Sequence, residues 1–145
     1  MLKHKFKNGF MGLVLVGCLT SGTVLAEMVV ITHPSSDTES LTMAEAKALF
    51  LKKKSSFPSG SDAVPGNQTE GSAIYDEFGK KVLKKKPQQL SSYWSKRVFS
   101  GKAMPPKVIG DDQAIKAWVA QTPGSLGYVD AGVVDDSVKV LLRVP

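Results

Sequence analysis

Cysteine and histidine are almost missing from this sequence, and their scarcity removes whole classes of chemistry. Cys18 is the one cysteine, so no disulfide forms within the chain and no cysteine cluster is available for a metal. His4 and His33 are the two histidines. His33 ends an apolar stretch just before Pro34, a place suited to a surface or capping role more than to general-base work. A histidine metal site needs further ligands at matching spacing, and the acidic pairs Asp111-Asp112 and Asp135-Asp136 read instead as a helix start and a turn. No Gly-x-Ser-x-Gly nucleophile elbow is present. Neither an enzyme nor a cofactor or metal protein is expected from such a set. Long apolar runs are lacking too: the stretch between Lys7 and Glu27 is broken by Gly12, Gly17, Thr20, Ser21 and Gly22 and is short for a membrane span. No internal repeat or coiled-coil heptad is visible.

What the first residues do contain is the pattern of a bacterial export signal. Lys3, Lys5 and Lys7 supply a positive start, Phe10 to Gly17 an apolar centre, and Val24-Leu25-Ala26 a small-x-small end, which places cleavage after Ala26. The expected organisation is a signal peptide over 1–26 and one domain over 27–145, located in the periplasm. Leu15-Val16-Gly17-Cys18 also resembles the lipobox of bacterial lipoproteins, which would make Cys18 a lipidated anchor instead. Removal of 1–26 leaves 119 residues, enough to bury a single core. The formal charge then falls from +6 to +3, because three lysines leave and no acidic residue does. So small an excess gives no reason to expect nucleic acid as a partner.

Downstream, strand and helix patterns alternate. Glu27 to His33 is short, apolar and β-branched, and Pro34 to Asp37 stops it. Thr42-Met43-Ala44-Glu45 has capping-box form, with Met43, Ala46, Leu49 and Phe50 on one helical face. A lysine-, serine- and glycine-rich loop over 52–66 contains a short strand near Ala63-Val64-Pro65. A second helix is expected from Ser72, with Ile74, Tyr75, Phe78 and Val82 inward, and a third from Pro87, with Leu90, Tyr93, Trp94 and Val98 inward. Gly101 to Pro106 interrupts the chain. Asp111 or Asp112 caps a fourth helix bearing Ala114, Ile115, Trp118 and Val119, which Pro123-Gly124 ends. Strands over 126–129 and 138–144 follow, joined by a polar turn at Asp135-Asp136-Ser137. Phe50, Phe78, Tyr93, Trp94, Phe99 and Trp118 are read as core. The fold class is α/β, a small mixed sheet flanked by about four helices. The lysines at 52–54, 80–81 and 84–86 suit helix C-termini and a solvated edge, and equally an anionic lipid surface or acidic partner.

One stretch invites a binding role. Gln68-Thr69-Glu70-Gly71-Ser72-Ala73 leads from a strand into a helix N-terminus, where unpaired amides and the positive end of the helix dipole can hold an oxyanion. Thr69 and Ser72 add hydroxyl donors, and Gly71 permits close approach. A serine at a helix start is also simply a cap, and both readings stand here.

The order of segments resembles the substrate-binding proteins of phosphate ABC transporters, which have the type 2 periplasmic-binding fold. The matching residues are Leu41 to Glu45 through Ala48 to Lys53, then Val64-Pro65 to Phe78 around Glu70-Gly71-Ser72, and last Gln121-Thr122-Pro123-Gly124-Ser125-Leu126-Gly127-Tyr128-Val129. The last segment is similar to the family's Thr-Pro-Gly-Ala-Ile-Gly-Tyr-Val motif, and short one-domain members resemble the whole chain from residue 27 onward. The resemblance implies a single lobe of that fold and a site for phosphate or a similar small oxyanion at Gln68, Thr69, Gly71, Ser72 and Ala73. The family's Arg-Ser-Asp-Gly-Ser-Gly-Thr segment is altered here: Gln68 stands at the arginine, Thr69 at the serine, Glu70 at the aspartate, and Ala73-Ile74 at the Gly-Thr. Loss of the arginine removes the charge-assisted bonds that hold phosphate most strongly. Two functions are therefore expected as alternatives: a periplasmic solute-binding-like protein for a small oxyanion, or an accessory or sensory module that keeps the fold without high-affinity binding. Either would have a membrane transporter or sensor protein as its partner.

Overall fold

The computed structural model describes residues 27–145, so the export signal read over 1–26 and the lipidation alternative at Cys18 lie outside the described residues. Five strands and four helices follow one another: β1 (Met28–Thr32), α1 (Met43–Phe50), β2 (Val64–Gln68), α2 (Ala73–Lys81), α3 (Pro87–Phe99), β3 (Lys107–Gly110), α4 (Asp112–Gln121), β4 (Ser125–Asp130) and β5 (Lys139–Val144). The strands form one sheet in the order β3-β2-β4-β1-β5. β1 runs antiparallel to β4 and β5, whereas β2 runs parallel to β3 and β4, so the sheet is mixed as expected.

β1 carries the logic of the layers. All five of its residues are buried, and successive side chains of a strand point to opposite faces. Met28 and Val30 join a core with Leu49, Phe50, Phe78 and Leu90 from α1, α2 and α3. Val29 and Ile31 join a second core with Ile115 and Val119 of α4. A strand covered on both faces must be apolar throughout, which is why this run does not alternate.

Local signals set the helix ends. The Thr42 hydroxyl accepts from the Glu45 amide at 3.1 Å and the Glu45 carboxylate accepts from the Thr42 amide at 3.1 Å, the expected capping box. Asp111 caps α4 by accepting from the Ala114 amide at 3.0 Å. The pair at 135–136 is a turn: Asp135 accepts from Ser137 and from Lys116, and these bonds hold its carboxyl well below the usual carboxylate range. His33 Nδ1 accepts from the Ser35 amide at 3.1 Å, closing the turn after β1.

The Gln121–Val129 segment makes a tight joint of the fold. At Gly127, a Cβ would lie 2.6 Å from Ile115 Cγ2, so α4 rests directly on the β4 backbone. On the other face, Tyr128 stacks on Phe78 with ring centroids 3.8 Å apart and meets Phe50 edge-on at 5.6 Å, tying β4 to α2 and α1.

Three expectations need correction. β3 was not foreseen, because four residues at the sheet margin, Lys107 and Val108 of them exposed, carry too little apolar pattern to stand out. Val98 and Phe99, expected inward on α3, face solvent, with Phe99 97% exposed; only Leu90 of that helix is fully buried. Tyr93, Trp94 and Trp118 are half-buried and pack at the margins of the two cores.

Because the Gly127 backbone is in contact with α4, Gly127→Ala is expected to lower unfolding stability by about 1–3 kcal/mol. Urea unfolding followed by circular dichroism measures it. An unchanged midpoint and slope would contradict the close contact.

Candidate functional site

β2 delivers the chain to the turn that sequence reasoning selected, but it runs further than expected and includes Gln68. Alternation along the strand sends Gln68 inward, where it is 2% exposed. Its Nε2 donates to Asp112 Oδ1 at 2.6 Å and to the Tyr128 carbonyl at 3.0 Å. Asp112 lies in the first turn of α4, where a carboxylate is favoured by the helix dipole, and Oδ1 also accepts from the Asp130 amide at 3.4 Å. One carboxamide thus links β2, β4 and the start of α4. Asn67 points the other way, and its Oδ1 accepts from the Tyr128 hydroxyl at 3.1 Å. Burial pushes the Tyr128 phenol up from its ordinary value, so it remains a neutral donor.

The rest of the turn lies at the surface. Thr69, Glu70, Gly71 and Ala73 are exposed and Ser72 is half-buried. Gly71 has φ +78°, a left-handed conformation that glycine adopts without strain. The Thr69 amide donates to the Gly110 carbonyl at 3.0 Å, fastening the turn to the end of β3. Ser72 is occupied as a cap: its hydroxyl donates to the Thr69 carbonyl at 2.7 Å and accepts from the Tyr75 amide at 3.3 Å, while its own amide donates to the Thr69 carbonyl at 3.2 Å. Among the described residues, the amides of Gly71, Ala73 and Ile74 meet no protein acceptor. They are the donors a small anion could use, at the positive end of α2.

The turn opens on a groove of about 690 Å³ between α2 and α3. Glu70, Tyr75 and Asp76 line one side, and Trp94, Val98 and Phe99 the other, with Asn67 among the remaining lining residues. No lysine or arginine lines it, and neither carboxylate pairs with a cation among the described residues. The Tyr75 phenol is pushed up by its partial burial and then by the negative charges of Glu70 and Asp76. The groove is electronegative, which opposes an anion at the free amides. The lysines instead gather elsewhere: Lys84, Lys85 and Lys96 line a separate hollow against Tyr93.

Among the described residues, no group of three or more histidine, cysteine or acidic side chains is placed to hold a metal, and no helix is long and apolar enough to cross a membrane.

No protein-family model matches the sequence, and no curated protein matches it at a significant level. Solved structures do. A phosphate ABC transporter substrate-binding protein with bound phosphate from Clostridium perfringens aligns over 80% of this chain with a TM-score of 0.64 and 20% identity. An ABC-type phosphate transport receptor from Vibrio cholerae aligns over 80% with a TM-score of 0.65 and 14% identity. PstS from Borrelia burgdorferi aligns over 80% with a TM-score of 0.60 and 14% identity. This chain shares the fold of the aligned part of those proteins. It spans less than half of those proteins, 45%, 46% and 47% of their respective lengths, and at such identities the likeness is one of fold alone.

The inward position of Gln68 gave no signal in the sequence except the missing arginine. Asp112 was legible only as a helix-start residue, although it is the partner that holds Gln68.

Gln68→Leu is expected to destabilise the fold by about 1–3 kcal/mol, because it leaves the Asp112 carboxylate and the Tyr128 carbonyl without their donor. Thermal or urea unfolding reads the change. Wild-type stability in Gln68→Leu would show that the carboxamide is not held as described.

Proposed function

We propose that this chain acts in the periplasm as a single-lobe relative of phosphate-uptake binding proteins, docking on a membrane transporter or sensor protein and not closing around a small oxyanion. The observation that carries this reading is the fate of Gln68. It stands where the resembling family has an arginine, and its side chain is buried and bonded to Asp112 and Tyr128, so position 68 offers neither a charge nor a donor to a ligand at the turn.

Two further features support it. Glu70 and Asp76 set uncompensated negative charge beside the free amides, and an anion there would be repelled as well as bound. No lysine or arginine lines the groove, so no side-chain cation is at hand to hold an anion at the turn. The likeness to phosphate transport components motivates the membrane partner, and the export signal read over 1–26 motivates the compartment.

A second reading has its own support in the unpaired amides of Gly71 and Ala73 at the N-terminus of α2. On that reading the turn Thr69 to Ala73 holds phosphate or a similar small oxyanion weakly, with backbone donors alone.

Calorimetric titration with phosphate, sulfate and small carboxylates separates the two. Docking without anion capture predicts no saturable heat with any of them at millimolar concentration. Saturable binding of any of these anions would contradict it and support the second reading. In parallel, a photo-crosslinking residue at position 99 is expected to capture a membrane transporter or sensor protein in intact cells.

A further inference from the structure

The groove beside the turn joins two kinds of surface that rarely lie unpartnered together. Glu70 and Asp76 are exposed carboxylates without a cation, on the wall formed by the turn and α2. Facing them, α3 presents Trp94, Val98 and Phe99, the last of them almost fully exposed. Large apolar side chains held in water next to a polar rim mark a surface that another molecule covers. The charge selects among candidates: an acidic segment or an anionic lipid headgroup would meet like charge at Glu70 and Asp76. A small free cation would satisfy the carboxylates yet leave Val98 and Phe99 in water.

We propose that this groove receives a basic, apolar-flanked segment of a partner protein, with a lysine or arginine side chain reaching between Glu70 and Asp76 and apolar neighbours resting on Trp94, Val98 and Phe99. Lysine and arginine suit the site because each carries its charge on an apolar stem, which lies along the aromatic wall while the charged end meets the carboxylates. Tyr75 and Trp94 line the same groove, and an aromatic ring attracts a cation that lies over its face. A volume of about 690 Å³ accommodates several side chains of an extended segment. The inference rests on the docking reading and adds the chemistry of the partner to it.

The test titrates the full chain with two labelled peptides, one of alternating arginine and leucine and one with glutamate in place of each arginine, followed by fluorescence anisotropy at low and moderate salt. The basic peptide is expected to bind and the acidic one not. The double variant Glu70→Gln/Asp76→Asn, which alters only exposed side chains, is expected to bind the basic peptide about tenfold more weakly and with a flatter salt dependence. Equal binding of the acidic peptide, no binding of the basic one, or unchanged binding by the double variant each overturns the proposal. Crosslinking in cells keeps the two readings apart: if Phe99→Ser abolishes partner capture from a crosslinker at position 95 while the basic peptide fails to bind, docking stands and the assignment of charge falls. If capture persists in Phe99→Ser and in the charge variant alike, docking through this face is wrong as well.

Discussion

The Gln68 carboxamide, shared between Asp112 and the Tyr128 carbonyl, is the contact on which the candidate site depends. It fixes the end of β2 against β4 and the first turn of α4, and thereby sets where the turn to α2 leaves the sheet. A buried amide is costly unless its hydrogen bonds are made, so this arrangement specifies one geometry strongly. The same bonds that order the turn withdraw position 68 from the surface. The order of the turn and the burial of position 68 therefore have a single cause.

Around that contact the electrostatics run in one direction. The free amides of Gly71, Ala73 and Ile74 favour an anion through the dipole of α2, a nine-residue helix, and such an end attracts negative charge only within its first turn. Glu70 and Asp76 occupy that same volume with full charges. Two unit charges outweigh the partial charge of a helix end, and Asp76, itself in the first turn, already draws on that dipole. What remains is a surface with acidic and aromatic walls, positioned by a rigid sheet. The stack of Phe50, Phe78 and Tyr128 holds α1 and α2 against β4.

Much of the fold was legible because its signals are local. The capping box at Thr42 and Glu45, the cap at Asp111, the continuous apolar run of β1 and the Pro123-Gly124 helix end each rest on a few neighbouring residues. The resemblance around Gln121 to Val129 marked the segment where Gly127 and Tyr128 join the two faces of the sheet. The rest needed partners distant in sequence. Whether Gln68 points to the groove or the core depends on Asp112 and Tyr128, 44 and 60 residues away. The outward face of α3 is not legible because Val98 and Phe99 continue its apolar spacing, although only Leu90 of that helix is fully buried. Apolar periodicity says which residues share a helix face, not whether another element reaches that face.

The most direct test of the central contact is the hydrogen exchange of the Gln68 side-chain amide, observed by nuclear magnetic resonance with and without phosphate. A carboxamide donating to Asp112 and Tyr128 in a buried position predicts slow exchange and resonances that phosphate leaves in place. Fast exchange, or resonances that move saturably as phosphate is added, would contradict the account and return Gln68 to the ligand.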